Sequence, residues 1–71
     1  MRFKDRLLEL RKTRALTQKN VYAALNLAPI VYQRYEYGER TPPLDTLIAL
    51  ADFFDVSLDY LVGRSDDPTR R

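Results

Sequence analysis

Between Leu16 and Gly38 the chain reads LTQKNVYAALNLAPIVYQRYEYG, two short helical patterns with only a turn between them. Thr17 is suited to cap the first, because its hydroxyl accepts a bond from an otherwise unpaired backbone N–H. Val21, Ala24 and Leu25 then share one helical face. Asn26 follows, a residue that tolerates the left-handed conformation in which helices end. Pro29 stands where a second helix begins, its fixed φ matching the first turn. Gly38 stands where that helix stops.

The second helix carries two unlike faces. Ala28, Val31, Tyr32 and Tyr35 form one, apolar enough for a core. Ile30, Gln33, Arg34 and Tyr37 form the other. A solvated face has little use for Ile and Tyr, but a face that reads DNA has. Arg pairs with guanine edges, Gln with adenine edges, and an apolar side chain with the thymine methyl.

The stretch resembles the helix-turn-helix of the Cro/CI-type, phage-repressor-like (xenobiotic-response-element) regulators. The residues that carry the resemblance are Leu16-Thr17-Gln18, Leu25, Leu27, Tyr35-Glu36, Gly38 and Pro42. Downstream it continues through Leu44-Asp45-Thr46-Leu47, Ala51 and Val56-Ser57-Leu58-Asp59-Tyr60-Leu61, so that it spans about Phe3 to Gly63. The resemblance implies an all-α, compact five-helix, lambda-repressor-like DNA-binding domain with its helix-turn-helix at helices 2 and 3. Four positions depart from the family pattern. Tyr22 stands where a small residue is usual, Asn26 where Gly is usual, Ala28 where Ser or Thr caps helix 3, and Asn20 where Glu closes the capping box.

The resemblance also implies roles. Its base-reading positions match Pro29, Ile30, Gln33 and Arg34. Gln18 matches a glutamine that holds a DNA phosphate, a role suited to a helix N-terminus. Arg40 is a second phosphate candidate, with Thr17, Lys19 and Tyr37 behind it. Arg34 gripping a phosphate instead of a base stays open. Arg11 and Glu36 each border an apolar stripe, and the family pairs these two positions. Leu58, Tyr60, Leu61 and Val62 supply the expected surface of a two-fold homodimer, with core packing the alternative for the two leucines. Tyr32 and Tyr35 are expected in the core.

Composition narrows the alternatives. Seventy-one residues make one small domain. Without Cys there is no disulfide and no thiolate zinc site; without His the commonest general base and metal ligand is missing. The spaced acids Asp45, Asp52, Asp55 and Asp59, and the pair Asp66-Asp67, have no base or ligand loop beside them. They read as solvated charges, not as an enzyme's carboxylates. A domain of this size has no room for a deep substrate pocket, so neither a cofactor nor a small-molecule ligand is expected. No apolar run approaches the roughly 20 residues of a membrane span, and the first residues lack a signal-peptide core, so a soluble cytoplasmic protein is expected. The net charge of +2 conceals an asymmetry: residues 1–40 carry +5 and residues 41–71 carry −3. The positive half holds the helix-turn-helix, as suits a polyanionic partner.

Along the chain, helix 1 is expected over Phe3 to Arg14 with Phe3, Leu7 and Leu10 inward. Helix 2 is expected over Gln18 to Leu25 and helix 3 over Pro29 to Tyr37. Pro42-Pro43 prevent helix 3 from running on. Helix 4, Leu44 to Phe54, carries the stripe Leu44, Leu47, Ile48, Ala51 and Phe54. Ser57 caps a last helix through Val62, ending at Gly63. Residues 1–63 form the domain, and 64–71 read as a polar, frayed C-terminal tail. The sequence as a whole reads as a sequence-specific, double-stranded DNA-binding regulator, a repressor by resemblance. The alternative is an adaptor or antitoxin module that uses the same fold to grip a protein.

Overall fold

The computed structural model of the protein describes residues 1–70; Arg71, the last residue of the expected tail, lies outside the described residues. Five helices follow one another: α1 Phe3–Thr13, α2 Gln18–Ala24, α3 Pro29–Tyr37, α4 Leu44–Phe54 and α5 Leu58–Leu61. No strand occurs among the described residues. The ends of α1, α2 and α5 fall a residue short of expectation, because Arg14, Leu25 and Val62 take the C-cap positions.

Two of the helices start on side-chain caps. The Asn20 N–H donates to Thr17 Oγ1 at 3.0 Å and the Thr17 N–H donates to Asn20 Oδ1 at 2.8 Å. Asn20 therefore closes the capping box in place of the usual Glu. At α5 the Tyr60 N–H donates to Ser57 Oγ at 3.1 Å. Ala28 offers α3 no such bond, but Pro29 in the first turn has no N–H to satisfy.

All five helices stop in one way. A left-handed residue ends each one, as the C-cap itself at Gly38 and Asp55 and just beyond it at Ala15, Asn26 and Gly63, with φ of 77, 56, 53, 56 and 84°. In each case the next N–H reaches back five residues to a carbonyl. Leu16 donates to Arg11, Leu27 to Tyr22, Glu39 to Arg34, Val56 to Ala51 and Arg64 to Asp59, at 2.8–3.1 Å.

The core lies where α1, α3, α4 and α5 meet. Leu7 and Leu10 of α1, Val21 of α2, Tyr32 and Tyr35 of α3, and Leu50, Ala51 and Phe54 of α4 are buried, with Val56 and Leu61 closing the far end. Helix α1 packs on α3 and α5, α2 on α3, and α4 on α5. Tyr22, where a small residue is usual, is half-buried with its ring 6.4 Å from that of Tyr32, so the α2–α3 crossing accommodates it. At the C-terminus of α4, Arg14 Nη2 donates to the Phe54 carbonyl at 2.7 Å, a cation on the negative end of a helix dipole.

Two expectations are corrected here. Helix α4 is rotated from its expected stripe: Leu47, Leu50, Ala51 and Phe54 face inward, while Leu44 and Ile48 are exposed. The tail is not frayed over its described part. The Ser57 N–H donates to the Pro68 carbonyl at 3.0 Å, Arg6 pairs with Asp66 at 3.3 Å, and Arg70 Nη1 donates to the Ala51 carbonyl at 3.1 Å. Arg70 also bonds Asp52. Arg6 gives the tail one of its seats. It is buried on α1, its guanidinium lies 3.6 Å from the centre of the Tyr60 ring, and Asp66 supplies its counter-charge.

Candidate nucleic-acid interface

Helix α3 presents the two faces its spacing implies. Tyr32 and Tyr35 are buried, whereas Ile30 is 55% and Tyr37 62% exposed. Pro29 and Arg34 are exposed beside them, and Gln33 is half-buried. An exposed Ile and Tyr flanking an Arg and a Gln leave an amphipathic surface that the domain does not cover.

The helix is held from behind by one carboxylate. Glu36 accepts from Arg11 Nε at 2.6 Å, from Arg11 Nη2 at 3.0 Å and from Gln18 Nε2 at 3.0 Å. Arg11 Nη1 also donates to the Leu16 carbonyl at 3.0 Å, so a single guanidinium ties α1, the α1–α2 link and α3. Burial pushes the Glu36 carboxyl up, but contacts with Arg11, Tyr32 and Gln18 outweigh it and hold the group below its ordinary value. Burial, and then the Glu36 carboxylate, push the Tyr32 phenol well above its own ordinary value, so Tyr32 stays neutral. The structure thus brings Arg11 and Glu36 together and adds Gln18 to them. One hydrogen of the Gln18 amide is engaged with Glu36; the other remains to be donated outward.

The remaining candidates fall around this face. Thr17 and Lys19 are exposed at the start of α2, with the Thr17 hydroxyl engaged in the cap. Arg40 is exposed in the turn after α3. It lines a hollow of about 250 Å³ with Tyr37, Thr41, Arg2 and Lys4. Arg2 and Lys4 were not among the residues the sequence pointed to, since nothing local in the chain links position 4 to position 38. Of the expected subunit surface, Leu58, Tyr60 and Val62 are half-buried. Leu61 is corrected: it is fully buried in the domain's own core, because α5 turns it towards α1 and α4. A second, larger hollow of about 440 Å³ lies between α4, α5 and the tail, lined by Ile48, Asp52, Leu58, Asp59 and Arg70 among others. Its wall includes Ser65, Asp67, Thr69 and Arg70 of the returning tail, which a frayed tail would not supply.

Two adjoining short helices, the second with an uncovered polar-apolar face and tied to α1 through Glu36 and Arg11, fit the helix-turn-helix class. A family model described as helix-turn-helix matches residues 7–61, and the chain belongs to that family. Among its relatives is the HTH-type transcriptional regulator YobD of Bacillus subtilis, 43% identical over 64 residues that cover 90% of this chain and 57% of that protein. A phage CTXphi transcriptional repressor, RstR of Vibrio cholerae, is 34% identical, with coverage of 90% and 57%. The crystal structure of a transcriptional regulator from Listeria innocua superposes with a TM-score of 0.82 at 34% identity, covering 87% of this chain and 58% of that one. The chain therefore spans a little over half the length of the relatives it matches. No helix among the described residues is long and apolar enough to cross a membrane.

Proposed function

We propose that the chain is the DNA-binding unit of a cytoplasmic transcriptional regulator, acting as a repressor by occupying double-stranded DNA, with no catalytic step. The observation that carries this reading is the uncovered face of α3, where Ile30, Gln33, Arg34 and Tyr37 stand on a helix clamped from behind through Glu36. Helix α3 enters the major groove while α2 crosses the backbone. Arg34 reads guanine through O6 and N7, Gln33 reads adenine or braces Arg34, and Pro29 and Ile30 supply shape and apolar contact. Gln18, Arg40, Thr17, Lys19 and Tyr37 hold phosphates.

One recognition helix covers too few base pairs for specificity, so two copies bind as a two-fold homodimer on half-sites about 34 Å apart. Leu58, Tyr60 and Val62, without Leu61, form the subunit contact.

Selection of bound sequences from a random duplex pool tests the whole reading. The expected product is an inverted repeat whose affinity falls steeply with salt. Against that duplex, Arg34→Ala costs about 1–3 kcal/mol and relaxes preference at one base-pair position. Arg40→Ala weakens all sequences alike and lowers the salt slope by about one unit. Uniform weakening by Arg34→Ala would reassign that residue to a phosphate. Binding that is absent or insensitive to salt, alongside a tight protein partner, would favour the adaptor or antitoxin reading.

A further inference from the structure

The hollow at the end of α3 has a composition that the reading face alone does not explain. Arg2, Lys4 and Arg40 line it, with Tyr37 and Thr41 between them, and no carboxylate does. The acids nearest in sequence, Asp5 and Glu39, are exposed and do not line it. Among the described residues none of the three cations is engaged in an ion pair. Three positive charges kept together without counter-ions repel one another, a cost that an anion held between them relieves.

The hollow also depends on a close approach. A Cβ at position 38 would lie 2.6 Å from Lys4 Cδ, so the lysine stem rests on the bare backbone of Gly38. Packing of the stem across the last turn of α3 restricts Lys4 while leaving its ammonium to water or a ligand. Gly38 thus serves two purposes: it takes the left-handed φ of 77° and it seats Lys4.

Its place relative to the reading face follows from helix geometry. Tyr37 lies on the same face as Ile30, Gln33 and Arg34, seven residues beyond Ile30, or about 10 Å of helix rise. The major groove is about 12 Å wide. A helix whose leading end reads bases therefore brings Tyr37, and the hollow beside it, to the groove wall where phosphates run.

We infer that Arg2 and Lys4, together with Tyr37, Arg40 and Thr41, form a phosphate-binding hollow that grips the DNA backbone flanking the base pairs read by α3. This rests on the DNA-binding reading above. It adds the start of α1 as a third point of backbone contact, beside the start of α2 and the turn after α3.

The test uses the chain as it stands, with Arg2→Gln, Lys4→Gln and the double variant, and the duplex that the wild type selects from a random pool. Each single variant lowers the salt slope of binding by about one unit, and the double variant by about two. Base preference stays unchanged at every position, and Lys4→Arg restores the wild-type slope. A neutral methylphosphonate placed at successive flanking positions weakens the wild type at one of them, and there the double variant is indifferent. Thermal melting accompanies each measurement. Should Lys4→Gln fail to fold, Arg2→Gln, which lies ahead of α1, decides the question alone. Folded variants with the wild-type slope overturn the hollow while leaving the α3 reading intact. A wild type without salt-dependent duplex binding overturns the α3 reading itself. Inorganic phosphate that fills the hollow without weakening duplex binding at constant ionic strength overturns its assignment to the DNA backbone.

Discussion

At the scale of the residue, Glu36 concentrates more consequence than any side chain on the exposed face of α3. Three donors from two elements converge on its carboxylate, and the pair it makes with Arg11 is largely buried. Glu36→Gln leaves the Arg11 guanidinium inside without its counter-charge, a defect that costs about 3–5 kcal/mol. The effect has a pH signature. Because the folded-state value lies below the ordinary one, the carboxylate contributes stability above its unfolded pKa of about 4.3, and that contribution disappears as pH falls through the folded value. Urea midpoints of the wild type therefore decline across this acid window, and those of Glu36→Gln lose that part of the decline. Equal acid sensitivity in both would remove Glu36 from the account. The sequence places both charges at the borders of apolar stripes, and the resemblance to the family supplies their pairing. The third partner was not legible: Gln18 reads as a solvent-facing residue of a helix start, and only the fold sets it against α3.

At the scale of the element, the repeated left-handed stop is the most telling feature. Only two of the five stops use glycine, and Ala15 has neither the freedom of Gly nor the polar side chain that eases Asn26 and Asp55 into this conformation. Ala15 is exposed and packs nothing that a substitution would sacrifice. Ala15→Gly should accordingly stabilise the domain by about 1 kcal/mol, seen as a rise of roughly 4–8 °C in melting temperature. A fall would mean that the unfolded chain's gain in freedom outweighs the relief. Helix limits were legible from such punctuation: Thr17, Asn26, Pro29, Gly38 and Ser57 all stand at the boundaries their chemistry implies. Orientation was less so. Helix α4 is apolar around most of its circumference, and both Leu44-Leu47-Ile48-Ala51 and Leu47-Leu50-Ala51-Phe54 have helical spacing. Only packing against α5 and the core selects the second. Leu61 illustrates the same limit, since a four-residue helix has too little pattern to say which leucine points inward.

At the scale of the whole molecule, the charge asymmetry resolves into two surfaces. The basic half supplies α1–α3 and the hollow beside them, and the acidic half supplies α4, α5 and the returning tail. The tail was illegible because its main partner, Arg6, lies 60 residues away from Asp66 and reads as an ordinary helix charge. Arg6 stays against the Tyr60 ring, whereas Asp66 is fully exposed to ions in solution. The latch between the first helix and the last residues thus has a clock of its own. It should open and reclose many times within the lifetime of one folded core, and salt should quicken the opening without loosening what lies beneath. Amide hydrogen exchange makes the two clocks visible. The Ser57 N–H, whose acceptor is the Pro68 carbonyl, exchanges well before the central amides of α1 and faster still as salt rises. Simultaneous exchange of both sets would mean that latch and core open as one.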